Sequence, residues 1–236
     1  MKLLIRGFLA KGLLVLVGVF VGSSLVLAET IAVIGTGNVG GALGPQFATL
    51  GHDIIYGSRE PARQDVQALV ARTGHNATAM LPAEAAAAAD IVIMATKWAQ
   101  AEVALRSLGD LSGKIILDPN NAVRLDNSGT RHHGVETSAA QMIQDWAPNA
   151  MVVKAFNTLS AATMADPGSA GGPVTIPIAG NDAGAKAVIA ALVTGIGFEV
   201  VDMGDISSAQ AIEQMLIVRG NASMPYNYYF RPVPQN

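Results

Sequence analysis

The chain has 236 residues, of which 50% are hydrophobic and 14% charged, with a formal net charge of −3 and no cysteine. That length suffices for one α/β domain with a full core. The missing cysteines exclude disulfides, thiolate catalysis and Cys-ligated zinc or iron–sulfur sites, and the mild acidity argues against a nucleic-acid backbone as partner.

The N-terminus stands apart from the rest. Residues 1–12 are short and basic, with Lys2, Arg6 and Lys11; residues 13–28 are apolar and end in Val26-Leu27-Ala28. This three-part pattern predicts a secretory signal peptide cut before Glu29, with an uncleaved membrane anchor or an upstream start codon as the alternatives. If the segment is genuine the protein is exported or membrane-anchored; otherwise it is cytoplasmic. Residues 29–236 contain no repeat or linker and form one domain.

Within that domain, apolar runs alternate with amphipathic stretches, which predicts an α/β fold. Strands are expected at Ile31–Gly35, Asp53–Tyr56, Ala77–Met80, Ile91–Ala95, Lys114–Leu117, Met151–Phe156, Val174–Ala179 and Glu199–Asp202. Helices are expected at Val39–Leu50, Ala62–Arg72, Pro82–Ala88, Ala99–Ser107, Ser138–Trp146, Ala183–Thr194 and Ala209–Val218. Runs such as Ile115-Ile116-Leu117 are apolar on both faces, as strands between two helix layers must be. The implied object is a Rossmann-type, doubly wound, mostly parallel sheet with a small C-terminal extension, its ligand crevice at the C-terminal strand ends.

Residues 31–41 read IAVIGTGNVGG. A buried strand runs into Gly35-Thr36-Gly37-Asn38-Val39-Gly40, and a helix follows. Gly35 permits a tight turn, Gly37 lets amides approach a pyrophosphate, and Gly40 lets the helix pack on the strand. The helix N-terminus then offers unpaired N–H groups to phosphate. The second strand selects the nucleotide. An NAD site usually has an acid at its end, whereas Ile54-Ile55-Tyr56 is followed by Gly57-Ser58-Arg59. Ser58 and Arg59 suit a 2′-phosphate and therefore NADP(H), although Glu60 could pair with Arg59 or serve a 2′-hydroxyl.

The blocks IAVIGTGNVGGALGPQFATLGHDIIYGSREP, DIVIMATKW and VVKAFNTLSA resemble the coenzyme F420-dependent NADP oxidoreductases, a group related to the nucleotide-binding domain of the STEAP metalloreductases. The resemblance implies hydride transfer between nicotinamide C4 and a deazaflavin ring. It implies that Thr36, Asn38 and Val39 contact the phosphates and that Ser58 and Arg59 hold the 2′-phosphate. Ala95, Thr96 and Lys97 would line the ribose and nicotinamide, and Asn157 would face the nicotinamide.

Several residues carry two readings. Lys97 could steady a carboxamide or anionic acceptor, or be an exposed lysine at a helix start. Trp98 could wall the pocket or anchor the next helix. Asn120 and Asn121 could bind cofactor or make a turn. His132 and His133 are expected in a solvated polar loop, with no third ligand spaced for a metal. The aromatic stretch Met224–Phe230 suits a flat acceptor, a dimer partner, or plain tail packing. No catalytic acid–base pair is identifiable, which hydride transfer between stacked rings does not need. The leading expectation is an NADPH-dependent reductase of F420 or a free flavin such as FMN. A non-catalytic NADP(H) sensor and an imine or ketone reductase are the alternatives.

Overall fold

The computed structural model describes residues 28–222, 229–231 and 233; the expected leader and residues 223–228 of the aromatic tail lie outside them. In chain order the elements are β1 (Thr30–Ile34), α1 (Asn38–Thr49), β2 (Asp53–Gly57), α2 (Gln64–Thr73), β3 (Thr78–Met80), α3 (Pro82–Ala88), β4 (Ile91–Ile93) and α4 (Trp98–Arg106). Then come β5 (Ile115–Asp118), β6 (Val123–Leu125), β7 (Arg131–His133), α5 (Ala139–Trp146), β8 (Met151–Lys154), α6 (Ala161–Ala165), β9 (Thr175–Gly180), α7 (Ala183–Gly195), β10 (Glu199–Asp202) and α8 (Ala209–Gly220).

Eight strands form one sheet in the order β10-β9-β8-β5-β4-β1-β2-β3. Every pairing is parallel except β8 with β9. The strand order reverses beside β1, between β4 and β2, and at such a switch point the connections leave in opposite directions and open a crevice. The strands are buried on both faces because a separate apolar cluster packs each side. Ile31, Val33, Phe47, Tyr56 and Phe156 belong to one; Ala32, Ile34, Val92, Met94 and Ile116 belong to the other. Alternate residues of β1 thus serve opposite layers, the period-2 consequence of the pleat.

Local chemistry explains the helix boundaries. Ser138, Ser160 and Asp182 each accept the N–H three residues on, capping α5, α6 and α7. Pro45 sits inside α1 and has no N–H for the Gly41 carbonyl; Arg72 of α2 donates to that carbonyl instead, at 3.0 Å. Trp98 stacks on Trp146 at 5.6 Å and an interplanar angle of 17°, so it anchors α4 against α5.

Three expectations are corrected. The first and fourth strands stop at Ile34 and Ile93, so Gly35 and Ala95 belong to the loops above the sheet. The strand expected to reach Phe156 ends at Lys154. The polar stretch expected as a solvated loop is instead an antiparallel hairpin, β6–β7, with Arg124 opposite His132. His132 contacts Asp126 at 2.8 Å, and His133 is largely buried, its Nδ1–H donating to the Val135 carbonyl at 2.9 Å. The hairpin docks on α8 through two hydrogen bonds between Arg131 and Asn221.

Where the chain enters β1, buried His52 accepts the Glu29 N–H at Nδ1, and burial holds its pKa below the usual value. The folded state therefore favours the neutral ring. As pH falls below about 6.5, the unfolded chain binds a proton that the fold resists, and stability drops. Urea midpoints measured between pH 7.5 and 5.5 should fall for the wild type and flatten for His52→Gln.

Candidate functional site

The turn after β1 packs tightly at two glycines and lies open at a third. Gly35 has φ +114°, and a Cβ there would lie 2.6 Å from the Ala95 carbonyl oxygen. A Cβ on Gly40 would lie 2.1 Å from the Gly35 carbonyl oxygen and 2.8 Å from Val33 Cγ1. A Cβ on Gly37 would meet nothing within 4 Å. Gly37 is also the N-cap of α1, with no side-chain cap and no acid in the first turn. The first-turn N–H groups of a helix lack intrahelical acceptors, so an exposed surface rich in donors faces this open space.

A cleft of about 710 Å³ lies beside this turn. Gly35, Thr36 and Gly37 form one wall, Ser58 and Arg59 another, and Ala95, Thr96 and Lys97 a third. Asn38 instead lines an adjoining cleft of about 660 Å³ with Thr36, Gly37 and Arg72. Gly40 is buried beneath the turn, and Val39 packs against the core. The pyrophosphate-loop, 2′-phosphate and post-β4 residues named from the sequence thus converge; Gly40 and Val39 support the loop from below.

The end of β2 brings Ser58, Arg59 and the Glu60 carboxylate together on the cleft wall. Ser58 is nearly buried, its amide donates to the Met80 carbonyl, and its Oγ accepts the Glu60 N–H at 3.2 Å. Among the described residues neither Arg59 nor Lys97 forms an ion pair, whereas nearby Arg63 is paired with Asp65 at 2.5 Å. Glu60 therefore does not neutralise Arg59 through a side-chain pair. Two cations are left on the walls of one cleft, where a phosphate could pair with either.

Asn157 occupies a different position from the one expected. It is 3% exposed and does not line the 710 Å³ cleft. Its Nδ2 donates to Asn121 Oδ1 at 2.9 Å and to the Ile212 carbonyl at 3.2 Å, while Asn121 Nδ2 donates to the Asn157 carbonyl at 3.0 Å. Asn157 Oδ1 and Thr96 Oγ1 are buried without a partner among the described residues. Phe156, next to it, has φ +65°, an uncommon conformation for a non-glycine residue. Its ring is gripped edge-on by Phe47 at 6.3 Å and Phe198 at 6.0 Å, so packing holds the strained backbone that sets Asn157. Asn120 is a structural bridge, donating to the Met94 carbonyl and to Asp118.

Sequence reasoning missed a buried charge cluster. Lys154 Nζ contacts Asp118 Oδ2 at 2.6 Å, Glu213 Oε1 at 2.7 Å and the Asn120 carbonyl at 2.6 Å, with all three ionic side chains fully buried. Burial pushes the Asp118 carboxyl above its usual range; the Lys154 ammonium opposes this and the Glu213 charge adds to it. The one local signal was a lysine at the end of the apolar run Met151-Val152-Val153.

The sheet order and the cleft at its switch point are those of a Rossmann-type, dinucleotide-binding fold. The sequence profile described as "NADP oxidoreductase coenzyme F420-dependent" matches residues 30–122. A crystal structure from Arthrobacter sp. FB24, provisionally described as an F420-dependent NADP reductase, is 34% identical, with 86% of this chain and all of that one covered and a TM-score of 0.76. The chain belongs to the F420-dependent NADP oxidoreductase family. Rat metalloreductase STEAP3 is 27% identical over 187 residues, 79% of this chain and 36% of that protein; the chain thus spans about a third of the length of such curated relatives. A reductive aminase from Aspergillus terreus, solved with NADPH, shares the fold at 18% identity and TM-score 0.58, covering 82% of this chain and 61% of that one. Among the described residues, no helix is long and apolar enough to cross a membrane.

Proposed function

We propose that the protein is an NADPH-dependent reductase that passes hydride to a flavin-like ring, F420 or a free flavin such as FMN. The observation that carries this reading is the 710 Å³ cleft joining the open Gly37 turn to an unpaired Arg59. The donors fit the cofactor: Thr36, Gly37 and Asn38 would hold the pyrophosphate at the α1 N-terminus, with Val39 and Gly40 shaping the turn beneath. Ser58 and Arg59 would hold the 2′-phosphate, and Ala95, Thr96 and Lys97 would lie along the ribose and nicotinamide. Bound NADPH supplies the hydride from nicotinamide C4; the residues around it bind, orient and exclude water.

Arg59 carries the nucleotide choice in this reading. A charge-assisted hydrogen bond is worth about 1.5–3 kcal/mol, so Arg59→Ala should weaken NADPH binding roughly 10- to 150-fold and leave NADH nearly unchanged. Equal weakening of both nucleotides contradicts the assignment. The reaction is tested by NADPH oxidation with F420, FMN and a quinone as parallel acceptors. Turnover with F420 or FMN supports the proposal; NADPH binding without oxidation by any acceptor overturns it.

A further inference from the structure

Among the described residues the contacts of the fold begin at Glu29. Ala28 is exposed and takes part in no hydrogen bond among them. Glu29 has both backbone groups engaged: its N–H donates to Nδ1 of buried His52 at 3.0 Å, and its carbonyl accepts the Asp53 N–H at 3.1 Å. Thr30 then pairs with Asp53 as the first residue of β1. The sequence just upstream reads Val26-Leu27-Ala28 after an apolar run and a basic start, the pattern that a leader peptidase reads, with a small residue directly before the cut. Two independent boundaries therefore coincide: the end of the leader pattern and the start of the fold's contacts. β1 lies between β4 and β2, so residue 28 leaves the sheet at the end opposite the Gly35–Gly37 turn and its cleft.

The same corner carries negative charge without a cation. Asp90 Oδ2 accepts the Thr30 N–H at 3.0 Å. Burial pushes the Glu29 carboxyl above its usual range, and the adjoining Asp90 carboxylate adds to the shift. Among the described residues no cation pairs with Glu29 or Asp90. Lys114 spends its Nζ on the carbonyls of Ala87 and Ala89, and His75 faces Asp53. Two carboxylates left side by side repel. Hydrolysis of the Ala28–Glu29 bond would supply the missing charge. Water adds its hydroxyl to the Ala28 carbonyl carbon and a proton to the Glu29 nitrogen. The new Ala28 carboxyl passes its proton on, leaving a carboxylate and an ammonium. An ammonium carries three N–H groups, so one can stay on His52 while the others face the carboxylates.

We propose that Ala28–Glu29 is a processing site: a leader peptidase cuts there, and the α-ammonium created on Glu29 seats on His52 between the carboxylates of Glu29 and Asp90. The mature domain then begins where its contacts begin, and the cut leaves the nucleotide cleft at the far end of the sheet untouched. The inference stands apart from the choice of nucleotide or acceptor.

The test expresses the full chain from Met1, beside Ala28→Phe, in a bacterium with an active leader peptidase. Intact mass and N-terminal sequencing of the purified proteins give the first residue. The wild type should begin at Glu29. The Ala28→Phe chain should keep residues 1–28, because a bulky side chain blocks the cut and Ala28 is exposed, so the fold is spared. A wild type that keeps Met1 or begins at any other residue overturns the processing site, as does a Ala28→Phe chain trimmed like the wild type. Melting of both chains in one detergent, with and without Asp90→Asn, then tests the seat. Asp90→Asn should lower the Tm of the processed chain by about 1–3 °C, the size expected of an exposed ion pair in a domain of this length. It should leave the Tm of the unprocessed chain unchanged or higher. No fall in the processed chain, or an equal fall in both, overturns the seat.

Discussion

Lys154→Met is expected to destabilise the fold by about 3–5 kcal/mol, the cost of leaving buried charges without their partner. The Lys154 ammonium contacts Asp118, Glu213 and the Asn120 carbonyl, all out of reach of solvent. Methionine fills nearly the same volume with no charge, so the loss is electrostatic and not a cavity effect. Two carboxylates would then share a dry site with no cation. Adding Asp118→Asn should recover part of the loss, since it removes one of those charges and keeps an oxygen for the Asn120 amide. Urea unfolding of the three proteins measures both numbers. A loss below about 1 kcal/mol for Lys154→Met would mean that solvent reaches the cluster in solution.

The second large effect divides folding from binding between two glycines three residues apart. Gly40→Ala drives a Cβ to 2.1 Å from a backbone oxygen and 2.8 Å from Val33. The oxygen belongs to Gly35, itself wedged against Ala95, so neither neighbour can move away easily. The loss should reach or exceed the upper end of the usual overpacking range, about 3 kcal/mol. Gly37→Ala meets only open space, at φ −80°, and should change stability by less than about 0.5 kcal/mol. Its methyl group would occupy the space proposed for the pyrophosphate and lower NADPH affinity roughly tenfold or more. Thermal melts and NADPH titrations of the pair check this. The same loss of affinity in both variants with unchanged melting would contradict the packing account.

Much of the layer architecture was legible because it depends on local pattern. Apolar runs such as Ile91-Val92-Ile93, and a glycine turn flanked by strand and helix, carry their signal within a few residues. The Ser58–Arg59 pair was legible for the same reason, since it directly follows β2. What escaped was set by distant partners. The Arg131-His132-His133 strand has a polar, loop-like composition and is held by Asn221 of α8's C-cap, ninety residues away in sequence. The Lys154–Asp118–Glu213 cluster joins three elements whose sequences give no hint of one another. The strand end at Lys154 was overrun because Ala155 and Phe156 continue the apolar run, while Phe156 turns out of the sheet with positive φ to pack on Phe47 and Phe198. That turn is also what withdraws Asn157 from the open cleft.

In the proposed function this crevice selects the phosphorylated dinucleotide. Calorimetric titration of the wild-type protein with NADPH and with NADH measures that selectivity. NADPH should bind roughly tenfold tighter or more, with the difference lost in Arg59→Ala. Equal affinities, or tighter NADH, would contradict it and return the end of β2 to an ordinary solvated loop.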